Sequence, residues 1–213
     1  MTRKVDRLTL DTLAQLPGHC RTCVFWELDP VRRDQVRGHE EEEKAAWLSS
    51  VLREWGSVGR VLSVDDRVVG HLTWAPPLHL PGGAGFATAP VSTDAVLLAG
   101  TYVDPAYRGS GLGRVLVQAM AKDLVRHGGI GAVETFGAHR ASERGCVLPV
   151  DFLLAVGFRT HRPHLRYPRM RMDLRTTVTW RDEFEAAAER FLGVVKRPAP
   201  LPTPLPTSGV TSG

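Results

Sequence analysis

The sequence lacks long apolar stretches and has no apolar segment near its start. No run of apolar residues reaches the roughly 18 residues that a membrane-spanning helix needs. The first ten residues, MTRKVDRLTL, are charged and do not resemble the apolar region of a secretory signal. These two absences predict a cytoplasmic location and no interaction with membranes.

Cysteine is scarce, with three residues in a chain of 213. An odd number of cysteines without an export signal argues against a disulfide framework. Cys20 and Cys23 have C-x-x-C spacing beside His19, but the sequence has no second such pair to complete a four-ligand zinc site. We therefore expect no metal and interpret these cysteines as partly buried packing residues. A zinc site that includes Cys146 and a redox pair remain as alternatives.

The net charge is small, +4, and the basic residues are spread along the chain. Proteins that bind nucleic acids usually concentrate basic residues in one stripe. The densest basic segment here, 159–175, alternates in the way of paired strands with basic side chains facing outward. We therefore expect no nucleic-acid partner.

The hydrophobic pattern predicts an α/β chain with a mixed sheet. Alternating runs at 59–64 and 67–75 predict a hairpin, and the continuous apolar run at 95–103 predicts a buried strand. Further strands are expected at 4–10, 130–136 and within 158–175, and helices at 39–55, 113–127 and 150–157. We expect one domain over 1–196, with its core at 58–175 and a last helix at 179–195. The Pro-rich segment 197–213 is expected to be a disordered tail.

A cluster of glycines lies between the buried strand and the helix after it, in YVDPAYRGSGLGR at 102–114. A Walker A loop is excluded because its lysine is missing, and a dinucleotide site because the glycine spacing and the later acidic residue do not fit. Arg108, Gly111 and Gly113 instead match the pattern [QR]-x-x-G-x-[GA]. Glycines at a helix N-terminus leave backbone amides free to bind a pyrophosphate.

Residues 95–128 resemble the cofactor-binding core of the GNAT superfamily, the acyl-CoA-dependent N-acyltransferases. The resemblance extends over about 58–175, because the hairpin and the VGF sequence at 156–158 also match. It implies a GNAT-like, mostly antiparallel central sheet that is flanked by helices and splayed between its fourth and fifth strands.

The resemblance also implies that acetyl-CoA is the acyl donor and lies in the gap between these strands. Its pyrophosphate would meet the amides of 109–114, and its pantetheine arm would pair with the backbone of 101–103. The implied cofactor-binding residues are Thr101, Tyr102, Val103, Arg108, Gly109, Ser110, Gly111, Leu112, Gly113, Arg114 and Cys146. An amine would attack the thioester directly, with backbone N–H groups of the fourth strand stabilising the oxyanion.

The sequence departs from the family where protons are handled. Many relatives have a glutamate that acts as general base at the place of Leu97 and a tyrosine that protonates the thiolate at the place of Leu153. An asparagine that touches the cofactor is often found at the place of Cys146. We therefore consider Glu134 as a general base beside the gap, with an outward-facing glutamate as the alternative, and Tyr102 as a catalytic residue on the acceptor side.

Other groups remain as alternatives for proton transfer. His71 on the hairpin, His139 after the fifth strand and a bound water are considered, although most histidines on strands are merely half-buried.

Trp26 and Glu27 are candidate acceptor-binding residues, because an aromatic wall and a carboxylate suit a cationic amine. Ordinary core packing of Trp26 with a solvated Glu27 is the alternative. The expected acceptor is a small-molecule amine or an amine of a peptide or protein, and a homodimer is possible. A second function, a CoA-binding regulator or sensor on the same fold, remains open.

Overall fold

The structure is a computed structural model that describes residues 2–140 and 146–174. The predicted helix at 179–195 and the predicted tail at 197–213 lie outside the described residues, so the single domain over 1–196 stays a prediction. In the described part, no helix is both long enough and apolar enough to cross a membrane.

Among residues 2–140 and 146–174, eight strands form one sheet in the order β1-β2-β3-β4-β5-β8-β7, and β6 pairs with β5 beside this path. Most neighbours in this part of the chain are antiparallel, and only the β4–β5 and β5–β6 pairs are parallel. This confirms the predicted mixed, mostly antiparallel sheet. The strands are β1 Arg3–Arg7, β2 Gly59–Val64, β3 Arg67–Ala75, β4 Ala95–Val103, β5 Ala132–Ala138, β6 Leu148–Pro149, β7 Arg159–Arg162 and β8 Arg169–Asp173.

Six α-helices flank this sheet in the described part of the chain. They are α1 Leu10–Leu13, α2 Gly18–Arg21, α3 Pro30–Gln35, α4 Glu40–Trp55, α5 Leu112–His127 and α6 Val150–Ala155. Single 3₁₀ turns occur at Pro77–His79, Pro81–Gly85 and Pro105–Tyr107. The two long helices begin and end within a residue of their predicted bounds, whereas the sequence pattern did not predict α2 and α3.

The sheet separates two apolar layers. On one face, Leu116 and Met120 of α5 pack with Leu72 and Leu98 of the sheet, and α6 joins them. On the other face, α1 and α4 cover a second cluster that includes Leu97 and Phe136. Each fully buried side chain of this size contributes about 1.5–3 kcal/mol through the hydrophobic effect. The two layers hold the sheet rigidly between the helices that carry the candidate site.

The pairing of β4 with β5 stops after three residues. The paired positions are Ala95 with Ala132, Val96 with Val133, and Leu97 with Glu134. On its other side β4 stays paired with β3 as far as Val103, but Ala99 and Gly100 together lie opposite the single residue Thr73. Such a β-bulge bends and twists the strand that carries it. The predicted splay between β4 and β5 therefore begins immediately beyond the closed end at Leu97.

A buried ion network ties the closed end together. Glu134 is fully buried, and it accepts hydrogen bonds from Nη1 of Arg171 at 3.0 Å and from the backbone N–H of Ser92 at 3.1 Å. Arg171 also donates to Asp94 at 2.8 Å and to Asp173 at 2.7 Å. Because burying a charge is costly unless it is paired and hydrogen-bonded, these contacts must form together. They join β5, β8 and the segment that leads into β4.

We predict that Glu134→Gln lowers the free energy of unfolding by about 2–4 kcal/mol, because it leaves Arg171 half-buried with one fewer carboxylate. Urea denaturation monitored by tryptophan fluorescence measures the change. Asp34→Asn, which removes a pair between two exposed side chains, is the control and should change stability by no more than about 0.5 kcal/mol. Equal effects of the two substitutions would show that the network does not hold the closed end.

Candidate functional site

The splay leaves one edge of β4 open inside the sheet. The last link across the gap is a hydrogen bond from Oγ1 of Thr135 to the carbonyl oxygen of Leu98, at 2.8 Å. Beyond it, β5 pairs with β6 instead, at Gly137 and Ala138. In the described residues, the edge of β4 that faces β5 has no strand partner from 99 to 103. An unpaired strand edge presents backbone donors and acceptors that need partners.

The predicted cofactor residues of β4 lie along this open edge. Thr101, Tyr102 and Val103 are each half-buried, and Oγ1 of Thr101 is buried without a hydrogen-bond partner in the described part. The bulge is held by Thr73, whose hydroxyl accepts from the N–H of Gly100 at 2.9 Å and donates to its carbonyl at 3.1 Å. The open edge is therefore a fixed surface.

The loop after β4 is held by its own hydrogen bonds. Asp104 caps the 3₁₀ turn by accepting from the N–H of Ala106 at 2.9 Å. Nε of Arg108 donates to the carbonyl of Val103 at 3.0 Å, and the hydroxyl of Ser110 donates to the carbonyl of Tyr107. These contacts bring the exposed 108–110 segment back over the end of the open edge.

Two glycines have the left-handed backbone that the loop requires. Gly109 has φ +76° and Gly111 has φ +82°, and Gly111 is the N-cap of α5. An L-residue with a side chain is strained in this region. Since glycine has no side-chain oxygen, the first-turn amides of α5 receive no side-chain cap. The N-terminal end of α5, which has a partial positive charge, is therefore not capped by a carboxylate.

The first turn of α5 is also packed against α6. Leu112 is buried in the core, and a Cβ atom on Gly113 would lie 2.9 Å from Cε2 of Phe152. Nη2 of Arg114 donates to the carbonyl oxygen of Ala155 at 2.6 Å. Gly113 therefore allows close packing of the two helices, which fixes the direction in which the first-turn amides point.

The two places where the family's proton-handling residues are missing are core positions. Leu97 is 2% exposed and lies in the α1–α4 layer, whereas Leu153 is fully buried in the α5–α6 layer. Neither side chain handles protons, so any acid or base must come from other residues.

Tyr102 meets two histidines on the α1–α4 face of the sheet. It lies opposite His71 on β3, with ring centroids 6.1 Å apart, and His19 of α2 approaches its ring edge-on at 5.0 Å. Burial, followed by the negative charge of Asp104, raises the pKa of Tyr102 above its ordinary value. The phenol is therefore protonated at neutral pH and can donate a proton.

His71 is more buried than its alternating strand pattern indicated. Its side chain is 5% exposed, and its Nδ1 atom has no hydrogen-bond partner among residues 2–140 and 146–174. Burial, with smaller contributions from Lys44 and His19, lowers the pKa of His71 to about 3. A neutral imidazole offers one nitrogen as a hydrogen-bond acceptor beside Tyr102.

Glu134 lies at the closed end of the splay, opposite Leu97, and not beside the open gap where we expected it. Its two oxygens are occupied by Arg171 and by the N–H of Ser92, and Nε of Arg169 is 3.4 Å from Oε2. The placement does not support the predicted role as general base. His139 is exposed after β5.

Trp26 lies in a buried aromatic stack. It is 1% exposed, and its ring is nearly parallel to those of Phe86 and Phe136, with centroids 5.4 Å and 6.2 Å away. Its Nε1 donates to the carbonyl oxygen of Cys146 at 2.9 Å. This placement fits the packing alternative and does not support an aromatic wall around an acceptor.

Glu27 is buried and forms an ion pair with Lys44 of α4. Nζ of Lys44 also donates to the carbonyl oxygen of Cys23 at 2.9 Å. Because Lys44 already neutralises the carboxylate, the geometry favours a structural role for Glu27 over binding of a cationic amine. No sequence pattern indicates this pair, since Lys44 follows a run of glutamates that is typical of a solvated helix face.

Cys146 lies four residues before α6, not at its first turn. Its sulfur is 3.1 Å from that of Cys23, and no disulfide joins the cysteines. No group of three or more potential metal ligands is found in the part of the chain that the structure describes. Direct contact of Cys146 with a cofactor therefore stays a prediction.

The family model described as "Acetyltransferase (GNAT) family" matches residues 23–145. No curated protein sequence matches the chain.

Solved structures with low sequence identity share the fold. The aminoglycoside acetyltransferase AAC(6')-Ib, in complex with coenzyme A, is 16% identical with a TM-score of 0.55, over 84% of this chain and 99% of that one. A Salmonella typhimurium protein named YncA, solved with its cofactor acetyl-CoA, is 14% identical with a TM-score of 0.55, over 82% and 95%. The PaiA N-acetyltransferase from Thermoplasma acidophilum, in complex with coenzyme A, is 15% identical with a TM-score of 0.53, over 81% and 99%.

The family match spans more than half of the chain, and it contains the open edge of β4 and the glycine loop. The structural neighbours have the same fold across four fifths of the chain. The chain belongs to the GNAT acetyltransferase family.

Proposed function

We propose that the protein transfers an acetyl group from acetyl-CoA to a primary amine in a ternary complex. One observation carries this proposal: the open edge of β4 leads directly to the uncapped N-terminus of α5. A matching ligand has an extended arm with amide groups and a diphosphate beyond it, which is the chemistry of coenzyme A. Structural neighbours that were solved with coenzyme A or acetyl-CoA support the same ligand.

In this proposal the backbone does most of the cofactor binding. The pantetheine arm pairs with the backbone of 101–103, as an added strand would. The pyrophosphate accepts hydrogen bonds from the amides of 109–114 at the positive end of α5. Arg108 and Arg114 add positive charge, although each already donates one hydrogen bond to a backbone carbonyl. Cys146 lies near the start of α6 and keeps its predicted place in this set.

The chemistry begins when a neutral amine attacks the thioester carbonyl. Unpaired backbone N–H groups of β4 stabilise the oxyanion that forms, because they are fixed in place before the reaction. As the C–S bond of the thioester breaks, Tyr102 would donate a proton to the sulfur of the departing coenzyme A, and the proton that the acceptor nitrogen releases would return to the Tyr102 oxygen. The phenol suits this role because its raised pKa keeps it protonated.

His71 takes part as a hydrogen-bond acceptor. Its low pKa keeps the imidazole neutral throughout the physiological range. It faces Tyr102 from β3, so it can accept a hydrogen bond from the amine or from the phenol on the acceptor side. We propose this pair, in place of Glu134, as the proton-handling groups.

The acceptor is an amine on a small molecule, a peptide or a protein, reached from the α2 side where His19 contacts Tyr102. Among the structural neighbours, one acetylates aminoglycosides by its name. A second candidate, a CoA-binding regulator without transfer activity, is favoured by the apolar residues at Leu97 and Leu153.

We predict that Gly111→Asp weakens acetyl-CoA binding at least about 100-fold, because a carboxylate then competes with the pyrophosphate for the helix amides. Isothermal titration calorimetry on the folded variant measures the dissociation constant.

Gly56→Asp provides the matched control. Gly56 ends α4 with φ +86° and ψ −17°, close to the φ +82° and ψ 0° of Gly111, so the two substitutions impose similar backbone strain. We expect a similar loss of stability and unchanged affinity for acetyl-CoA. Equal affinities of the two variants would refute the pyrophosphate site at α5.

Release of free CoA thiol, followed with a panel of small amines, lysine peptides and peptide N-termini, tests the transfer reaction itself. We expect at least one acceptor class to accelerate thiol release well above the rate of hydrolysis. Tight binding of acetyl-CoA without acceleration by any acceptor would favour the regulator.

Once an acceptor is found, Tyr102→Phe should lower kcat about 100-fold or more without weakening cofactor binding. Tyr167→Phe, which alters a tyrosine packed against Phe86, should keep the rate of the wild type. If Tyr102→Phe is fully active, the proton reaches the thiolate by another route.

A further inference from the structure

Two of the three cysteines, Cys23 and Cys146, are in contact through their sulfur atoms. The sulfur atoms of Cys23 and Cys146 are 3.1 Å apart although the residues are 123 positions apart in sequence. We propose that these two residues are a reversible oxidation site, at which a peroxide converts the two thiols into a disulfide. This proposal goes beyond the transferase function and does not depend on it.

The backbones around the two sulfurs are already held. The carbonyl of Cys146 accepts from Nε1 of Trp26 at 2.9 Å, and the carbonyl of Cys23 accepts from Nζ of Lys44 at 2.9 Å. A disulfide bond is about 2.05 Å long, so the sulfurs need to approach by roughly 1 Å. In the proposal, rotation of the two side chains supplies that distance.

The pKa values of the two thiols are shifted in opposite directions. A hydrogen bond from the Cys146 thiol, followed by an N–H bond from Phe25 and the charge of Lys44, lowers the pKa of Cys23 despite its burial. The same hydrogen bond, together with burial, raises the pKa of Cys146. Cys23 is therefore the cysteine that forms a thiolate more readily, and Cys146 is the neighbouring residue that stays a thiol.

Cys20 differs from both. Burial, followed by the proximity of Cys23, raises the pKa of Cys20 to about 12, so it stays protonated and unreactive at neutral pH. Although Cys20 and Cys23 have C-x-x-C spacing, the sulfur that contacts Cys23 is that of Cys146. The structure therefore replaces the sequence-based alternative of a Cys20–Cys23 redox pair with a pair between distant segments.

The reaction has two steps. The Cys23 thiolate attacks one oxygen of hydrogen peroxide, the O–O bond breaks, and a sulfenic acid and hydroxide form. The Cys146 sulfur then attacks the sulfenic sulfur, its proton passes to the leaving hydroxyl group, and water departs. Overall, two thiols and one peroxide yield one disulfide and two waters, and a dithiol reductant restores the thiols.

The disulfide would join two segments beside the candidate site. One segment contains α2, whose His19 contacts Tyr102, and the other leads from β5 into α6. Oxidation would thus fix the segment that follows α2 relative to the residues that precede α6. Because the bond closes a long loop, it should also stabilise the folded chain.

The test treats the full chain with one to two equivalents of hydrogen peroxide, alkylates the remaining thiols and maps the peptides by mass spectrometry. We expect a Cys23–Cys146 disulfide, with Cys20 alkylated. Thermal unfolding of the oxidised protein should shift upward by about 5–10 °C, and dithiothreitol should reverse the shift. Neither readout requires acetyltransferase activity, so failure of the proposed function would leave this test intact.

Three variants complete the test. Cys20→Ser should keep both the disulfide and the thermal shift, whereas Cys23→Ser and Cys146→Ser should lose both. A Cys20–Cys23 disulfide, a disulfide between two chains, or oxidation of Cys23 beyond the sulfenic acid while Cys146 stays reduced would overturn the proposal.

Discussion

The site depends on the early end of pairing between β4 and β5. Three residue pairs join the strands, and then β4 bends away while it remains paired with β3. The ion network around Glu134 holds the strands together at the closed end, and the bulge opposite Thr73 separates them beyond it. Backbone groups inside a folded protein need hydrogen-bond partners, so the open edge makes a ligand with amide groups the natural partner of this sheet.

The two faces of the sheet contribute different parts of the site. On one face, α5 and α6 pack closely through Gly113 and Phe152 and fix the amides that would bind a pyrophosphate. On the other face, His19 of α2 contacts Tyr102, which also faces His71 of β3. In the proposed mechanism, donor binding relies on backbone groups and acceptor chemistry on side chains, so the cofactor pattern can persist while Leu97 and Leu153 depart from the family.

Elements with a strong local pattern were predictable from the sequence. The strands at 59–64, 67–75 and 95–103 have the predicted bounds, because alternation and continuous burial are local signals. The glycine loop was predictable because positive φ at Gly109 and Gly111 demands that residue type. In contrast, α2 and α3 were missed, since helices of 4 and 6 residues have too few turns for a hydrophobic period.

Long-range contacts limited the prediction of the site. Glu134 and Trp26 have the residue types of catalytic and acceptor groups, but their partners Arg171 and Phe86 are distant in sequence, and these contacts favour structural roles for both. The same holds for Cys23, whose contact with Cys146 no spacing indicates. Residue type and spacing therefore predict the glycine loop, whereas the surroundings of the remaining polar groups depend on packing between distant segments.

Hydrogen exchange of backbone amides, with and without saturating acetyl-CoA, tests whether the open edge of β4 and the start of α5 bind the cofactor. We expect slower exchange at 99–103 on the open edge of β4 and at 109–114 at the start of α5, with unchanged exchange in β1 and β2 at the far side of the sheet. Saturated binding that leaves both segments unprotected would contradict this expectation.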